Sequence, residues 1–279
     1  MQETISPPRL VFTDLDGSLL DHYDYGWEPA RPWLNRLAAA DVPVIPVTSK
    51  TRAELLPLRQ ELGLEQTPFI AENGAIIGLP AAWQHARLDR DPANVDGLRG
   101  KALSVDTDFL KRRLAVIRER LGVDFRCLPD MSIEEVIEET GLDAARAGLA
   151  RAREGSIPLL WNDSGAKLEA FREMLTNDDL VLTQGGRFWH VMGNADKGRA
   201  VTWLVARFTA LRGGAPWSLG LGDGPNDVTL LNATDAAVLI RGAHSHPVEI
   251  HHPCLYRTQE AGPQGWAEGM EHWLGQELA

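Results

Sequence analysis

Two aspartates one residue apart close an apolar run near the N-terminus, in Val11-Phe12-Thr13-Asp14-Leu15-Asp16-Gly17-Ser18-Leu19-Leu20. Carboxylates this close repel each other unless a cation or a proton stands between them. Taken alone, Asp-x-Asp reads just as well as the acidic turn that ends many strands, so the rest of the chain must decide. Three later places match it in kind. Thr48 follows Val42-Pro43-Val44-Ile45-Pro46-Val47, Lys197 opens a helical pattern, and Asp223 and Asp227 follow Trp217-Ser218-Leu219-Gly220-Leu221. Their chemistries are complementary. Asp14 can attack phosphorus as a nucleophile, splitting a hydrolysis into two easier steps through an aspartyl phosphate. Asp16 can protonate the leaving oxygen and later deprotonate water, a role suited to a carboxylate whose pKa an acidic neighbour raises. Asp223, with Asp14, can hold Mg²⁺, which prefers oxygen ligands, takes few carboxylates and cancels the repulsion among them. Lys197 and the Thr48 hydroxyl would bind the remaining phosphoryl oxygens and stabilise the charge that spreads over them in the transition state.

These residues need a scaffold that brings them to one edge. Leu10, Val11 and Phe12 read as a short buried strand between Pro7-Pro8 and Gly17, placing Asp14 and Asp16 at its carboxyl end, where open α/β sheets bind ligands. If the extended conformation continues, both acids project to one side with Leu15 opposite. A helical pattern over 29–40, a strand over 42–47, an amphipathic helix over 52–62 and a strand over 69–71 ending at Glu72-Asn73-Gly74 follow, with 75–78 as a hairpin arm. This alternation predicts a parallel, doubly wound sheet whose strand ends line one edge. Pro43 and Pro46 argue against a central place for the second strand.

The stretch Leu79 to Gly100 is rich in Pro, Asp, Arg and Gly and reads as a hinge or linker. Beyond it, helices are expected over 109–121, 132–140, 143–154 and 166–175, with Ser132 and Glu135 as a capping box, and strands over 123–128 and 157–161. A hairpin is expected from Leu180–Gln184 and Phe188–Met192 across Gly185-Gly186. This block has the makings of a small layer of its own, a cap over about 80–193 inserted into a core of 1–79 plus 194–279. The first pattern resumes with a helix from Lys197, strands over 217–221 and 236–240, a helix over 228–232 and a terminal helix to about Leu274. The expected fold class is α/β, a doubly wound, mostly parallel Rossmann-like core sheet with an inserted smaller α/β cap.

With 279 residues, 44% hydrophobic and 24% charged, the chain has the composition of an ordinary soluble globular protein large enough for a sizeable core. Its 39 acids against 28 Lys and Arg argue against nucleic acid or an anionic membrane as partner. No run approaches the ~20 apolar residues of a membrane span, and Met1 to Pro8 carry no signal pattern. Cys127 and Cys254 are far apart and outside metal-type spacing, so free thiols in a reducing cytoplasm are expected. His244, His246, His251 and His252 lie in a Pro-containing polar stretch without a carboxylate framework at ligand spacing and read as surface loop. Most of the nine Trp read as core.

The set Asp14-Leu15-Asp16-Gly17-Ser18-Leu19-Leu20, Thr48, Lys197 and Gly222-Asp223-Gly224-Pro225-Asn226-Asp227 resembles, in order, the four motifs of the haloacid-dehalogenase-like phosphatases. In that superfamily an insert between the second and third motifs is a cap. An Asp at position 16 marks members that hydrolyse phosphoesters, a feature the intramolecular mutases share. A closer resemblance runs over nearly the whole chain. Thr48-Ser49-Lys50-Thr51-Arg52-Ala53-Glu54, Glu72-Asn73-Gly74-Ala75, Gly185-Gly186-Arg187-Phe188-Trp189-His190 and Gly262-Pro263-Gln264-Gly265-Trp266 together are similar to mannosyl-3-phosphoglycerate phosphatases. The resemblance implies release of phosphate from mannosyl-3-phosphoglycerate to give mannosylglycerate, with Mg²⁺ held by Asp14, Asp16 and Asp223 and with Asn226 and Asp227 around them. It implies substrate contacts from Thr48, Ser49, Lys50, Asn73, Arg187 and His190. Arg187 could grip the glycerate carboxylate in a two-pronged contact, although strand alternation alone does not put Arg187 and His190 on one face. A Gly-Asp-Gly-Pro-Asn-Asp fourth motif, where some members have Ser, leaves the metal ligand intact. The other readings are a phosphatase or phosphomutase for another sugar phosphate, such as glucosyl-3-phosphoglycerate, and a non-catalytic binding protein on the same fold. No oligomeric state follows from the sequence.

Overall fold

The computed structural model describes residues 7–278 apart from 87, 90–93, 96, 186 and 243–247. Gly186 of the expected hairpin turn, and His244 and His246, therefore lie outside the described residues. The chain begins with β1 (Arg9–Thr13), α1 (Arg31–Ala39), β2 (Val44–Pro46), α2 (Arg52–Glu61), β3 (Phe69–Ala71), β4 (Ile76–Leu79), β5 (Asn94–Val95) and β6 (Leu98–Ala102). The middle block holds α3 (Thr107–Leu121), β7 (Phe125–Cys127), α4 (Ile133–Thr140), α5 (Ala144–Arg151), β8 (Ser156–Trp161), α6 (Gly165–Asn177), β9 (Leu180–Gly185) and β10 (Phe188–Gly193). The chain closes with α7 (Lys197–Arg212), β11 (Trp217–Gly222), α8 (Val228–Asn232), β12 (Ala236–Arg241), β13 (Leu255–Ala261) and α9 (Gly262–Leu274).

Five strands form the central parallel sheet in the order β13-β12-β11-β1-β2. Of these, β1, β2, β11 and β12 are buried on both faces, which explains why they read as continuous apolar runs. Along β1, Val11 joins a cluster with Leu37, Val44, Leu219 and Trp266, while Leu10 and Phe12 join one with Ile45, Val201 and Leu204 on the other face. β2 lies at the sheet edge, as its prolines demand, since Pro46 offers no N–H to a further strand. β3 meets it only through a single parallel bridge, Val47 with Ile70, and otherwise pairs antiparallel with β4. That departs from the expectation that the third strand continues the parallel sheet.

The expected linker from Leu79 to Gly100 also differs. β6 pairs antiparallel with β4, and β5 with β6, completing a four-stranded sheet β3-β4-β6-β5. Leu98-Arg99-Gly100-Lys101-Ala102 alternates, but with Gly and Ala in two of its three non-polar places the signal is too weak to mark a strand, so the partner, not the local pattern, makes it one. The edge strand β13, Leu-Tyr-Arg-Thr-Gln-Glu-Ala, was hidden for the same reason.

The middle block forms an antiparallel sheet β7-β8-β10-β9. Leu110, Leu114 and Ile117 of α3 and Phe171 and Leu175 of α6 cover one face together with Ile157, Leu159 and Val191. The Ser132/Glu135 capping box starts α4 as expected. α5 stops at Arg151, three residues earlier than the periodicity suggested, because Glu154 and Gly155 turn their N–H groups to a carboxylate of the core. The architecture is thus a mostly parallel sheet with helices on both faces and an antiparallel α/β layer inserted into it. No helix among the described residues is long and apolar enough to cross a membrane. Cys127 is buried, Cys254 is exposed, and both are free thiols.

Candidate active site

The carboxyl ends of β1 and β11 lie side by side, and the Asp14 N–H continues their ladder by donating to the Leu221 carbonyl at 2.9 Å. This brings two acidic strand ends together. β1 ends at Thr13, and Leu15 to Leu20 then form a turn in which the Ser18 and Leu20 N–H groups donate to the Leu15 carbonyl at 3.1 and 2.8 Å. The extended conformation therefore does not reach Asp16, and strand alternation does not put the two acids on one side. Asp14 joins Asp223 and Asp227 in a buried group whose ligand oxygens all lie within 4.8 Å of one another. Asp16 instead pairs with Lys50, Oδ2 to Nζ at 2.8 Å, while its Oδ1 is buried without a partner. The acidic neighbour expected for Asp16 is thus an ammonium.

Gly17 makes this crowding possible. It sits at φ +83°, and a Cβ there would lie 2.7 Å from Asp223 Oδ2. Ser18, fully buried, donates its hydroxyl to Asp223 Oδ1 at 3.3 Å. Lys197, the first residue of α7, reaches the group from the other side and donates 2.6 Å hydrogen bonds to Asp14 Oδ1 and Asp227 Oδ1. Asp227 Oδ2 accepts from the N–H groups of Asp223 and Gly224, at 3.1 and 2.9 Å, which fixes the loop after β11. Gly74 lets α7 approach, since a Cβ there would collide with the carbonyl oxygen of Asp196, the N-cap residue.

Burial and the repulsion of Asp227 and Asp223 push the Asp14 carboxyl well above the usual carboxylate range, against the pull of Lys197. Burial likewise raises Asp227, with Lys197 opposing and Asp223 adding to the rise. Burial disfavours the Lys197 charge, but Asp14 and Asp227 more than offset it and hold the ammonium above its ordinary value. Three carboxylates face one ammonium, so the group with all three acids ionised carries two excess negative charges. Close-set oxygen donors with that excess fit a divalent, oxygen-preferring cation such as Mg²⁺.

Around the carboxylates stand the other expected residues. Thr48 is buried at the end of β2, and its Oγ1 accepts from the Lys50 N–H at 3.2 Å. Burial works against the Lys50 charge, and Asp16 and Glu54 outweigh it, raising its pKa. Asn73, buried and at φ +55°, donates its N–H to the Thr48 carbonyl at 2.9 Å. Its Oδ1 accepts from Asn226 Nδ2 at 3.3 Å, and its own Nδ2 is a buried donor without a partner. Trp189 and Val191 pack with the α3/α6 cluster, so His190 between them faces the other way. Burial lowers the His190 pKa to about 3, helped by the charges of Arg153 and Lys197, and its Nδ1 is buried without a partner. Arg187 is exposed in the turn before β10. A cavity of about 470 Å³ lined by Leu56, Arg59, Pro80 and Leu98 includes none of these residues.

Four positions carried no assigned role in the sequence. Arg153 donates from Nη1 to the Ser49 carbonyl at 2.7 Å, joining the middle block to the core. Glu72, fully buried, accepts from the N–H groups of Glu154 and Gly155 and from the Ser156 hydroxyl, at 2.8, 3.2 and 2.6 Å. Thr13 Oγ1 donates to the Asp14 carbonyl at 2.7 Å, and Trp266 Nε1 donates to Thr13 Oγ1 at 2.9 Å. Glu72 and Trp266 lay in quoted motifs and Thr13 in the opening stretch, but like Arg153 they make tertiary contacts with no local pattern.

Residues 11–93 match the family model of the haloacid dehalogenase-like hydrolases. Among solved structures, one from Thermoplasma acidophilum is similar at TM-score 0.67 and 18% identity, covering 98% of this chain and 100% of that one. A haloacid dehalogenase-like hydrolase from B. subtilis matches at TM-score 0.65 and 19% identity, with 95% and 99% coverage. The sucrose-phosphatase from Synechocystis, solved with sucrose and phosphate, matches at TM-score 0.62 and 16% identity, with 95% and 98% coverage. The haloacid dehalogenase-like fold is shared over nearly the whole length, whereas the mannosyl-3-phosphoglycerate phosphatase resemblance goes beyond what these likenesses carry.

Proposed function

We propose that this chain is a Mg²⁺-dependent phosphatase acting on a sugar-phosphoglycerate, with mannosyl-3-phosphoglycerate as the favoured substrate. The observation that carries the reading is the buried group of Asp14, Asp223 and Asp227 around Lys197 at the carboxyl edge of a parallel sheet. The family match over the segment holding Asp14, Asp16 and Thr48, and the phosphatase among the structural neighbours, support the reaction class. The sugar and the glycerate come from the motif resemblance.

In this mechanism an Asp14 oxygen attacks phosphorus, the bond from phosphorus to the ester oxygen breaks, and Asp16 gives the leaving alcohol its proton. Asp16, now a base, takes a proton from water, which attacks the phosphoryl group, releases inorganic phosphate and restores Asp14. Lys197, Thr48 and the free Asn73 amide supply positive charge and donors for the non-bridging oxygens. Asp14 and Asp223, with Asp227 in reach, would hold Mg²⁺, which neutralises the phosphate against its anionic nucleophile. Asp16 lies outside this group, and its Oδ1, buried without a protein partner while Oδ2 is held by Lys50, supports proton transfer over metal binding as its role. We propose that the cap proper runs from residue 103 to 193, because β5 and β6 complete the sheet begun by β3 and β4.

Phosphate release from mannosyl- and glucosyl-3-phosphoglycerate, other sugar phosphates and an aryl phosphate, with and without Mg²⁺, tests this. Turnover that needs Mg²⁺, favours the phosphoglycerates and vanishes in Asp14→Asn is expected. Phosphate transfer between sugar positions without release would mark a mutase instead.

A further inference from the structure

We infer that Arg153 is the residue that reads a carboxylate of the substrate next to its phosphate, an inference that rests on the hydrolase reading above. Three cations border the loop after β2, and two of them are neutralised by the protein itself: Lys50 by Asp16 at 2.8 Å and Arg52 by Glu154 at 2.9 Å. Arg153 has no carboxylate within ion-pair distance among the described residues. Its Nε donates to the Ala150 carbonyl at 2.9 Å and its Nη1 to the Ser49 carbonyl at 2.7 Å, and both acceptors are neutral. No hydrogen bond engages Nη2 among the described residues. A half-buried guanidinium held on two neutral acceptors is an incomplete arrangement, because a partly desolvated charge is costly unless an anion meets it.

The side chain is also held in place before any ligand arrives. Residues 154–156, immediately after it, are clasped by Glu72, and the Thr51 hydroxyl donates to the Leu149 carbonyl at 2.9 Å just before it. Arg153 is therefore pinned from the cap side and the core side at once, so little side-chain freedom is lost on binding. Its position next to the candidate phosphate cradle follows from its bond to Ser49, the neighbour of Thr48. The nearby imidazole of His190 is kept neutral by burial, with Arg153 and Lys197 adding to the effect, and offers no negative charge in compensation. A carboxylate on the carbon beside the phosphorylated one is small enough to lie at this rim, and a guanidinium is suited to a planar carboxylate. Arg187, exposed in the hairpin turn, lacks this fixation.

Two matched esters isolate the contact, since 3-phosphoglycerate and glycerol 3-phosphate differ in having a carboxylate or a hydroxymethyl group. With wild type, Arg153→Met, Arg153→Lys and Arg187→Met, kcat/KM is measured on both, on mannosyl-3-phosphoglycerate and on p-nitrophenyl phosphate. Arg153→Met is expected to lose about 10- to 100-fold on the two carboxylate-bearing esters and less than about twofold on the others. Arg153→Lys should retain part of the preference, whereas a preference lost in Arg187→Met and kept in Arg153→Met would overturn the assignment. An equal loss on every ester would make Arg153 a strut between cap and core, and an unchanged ratio would return it to solvent; either overturns the assignment while leaving the hydrolase reading standing. A wild type that releases phosphate from none of the esters overturns the hydrolase reading and this assignment with it.

Discussion

Replacing Lys197 by methionine removes the one ammonium inside the carboxylate group while keeping most of the side-chain volume. Its Nζ lies 2.6 Å from both Asp14 Oδ1 and Asp227 Oδ1, and the residue is 1% exposed. At an effective dielectric constant of about 20, each contact is worth ~6 kcal/mol of attraction before the cost of burying the charges is subtracted. Removing one partner of a buried pair usually leaves a net loss of about 3–5 kcal/mol, and here it strands two carboxylates beside a third. The loss has a pH signature. Folding already raises the pKa of Asp14 and Asp227, and without the ammonium it raises them further, so the native variant binds more protons than the unfolded chain. Its stability therefore falls as pH rises from the unfolded carboxylate value, about 4, through the raised native values, and the deficit against wild type is larger at pH 7.5 than at pH 5.5. Urea unfolding followed by tryptophan fluorescence in EDTA measures this, and added Mg²⁺ should recover part of the loss by replacing the missing cation. A variant with the wild-type midpoint and slope in EDTA at pH 7.5 would refute the electrostatic reasoning.

Three other outcomes are expected. Trp266→Phe removes the donor that holds Thr13 against the Asp14 carbonyl, and should cost about 1–2 kcal/mol and lower kcat with KM little changed; wild-type kcat would show that the relay does not position Asp14. For His190, folding lowers the pKa from its ordinary value to about 3, so between these values the unfolded chain binds more protons and stability is lost as pH falls. Between pH 7 and pH 5 that loss amounts to about 2 kcal/mol, and His190→Gln should lack it; identical pH dependence of the two in urea unfolding would contradict a buried neutral imidazole. Gly17→Ala forces both an unfavourable φ and a methyl group against Asp223, so the Mg²⁺ concentration for half-maximal activity should rise, and an unchanged titration would detach Asp223 from the metal.

Much of the fold was legible because its signals are local. The apolar runs around Val11 and Leu219, the Ser132/Glu135 box and the glycine-flanked hairpin each contain their own instructions. β6 and β13 were not legible, since their residues become strands only by pairing with β4 and β12. The residues of the site were found through types and spacing, but their partners depended on how the chain turns. Nothing in Asp14-Leu15-Asp16 announces that the strand stops at Thr13, so the pairing of Asp16 with Lys50 and of Asp14 with Asp227 came only with the structure. The roles of Glu72 and Arg153 were not legible for the same reason, because the contacts that define them, Glu72 with residues 154–156 and Arg153 with Ser49, reach 82 or more residues along the chain.

The central claim, that Asp14 carries the phosphoryl group, is tested most directly by trapping it. In Asp16→Asn the second step lacks its base, while an aryl phosphate needs little help from an acid to leave. Acid-quenched protein from this reaction with Mg²⁺ is digested and the peptides are analysed by mass spectrometry. The predicted result is a phosphoryl group on the peptide containing Asp14, lost in Asp14→Asn/Asp16→Asn. Release of the aryl alcohol in a single-turnover burst with no adduct, or with the adduct on another residue, would contradict it.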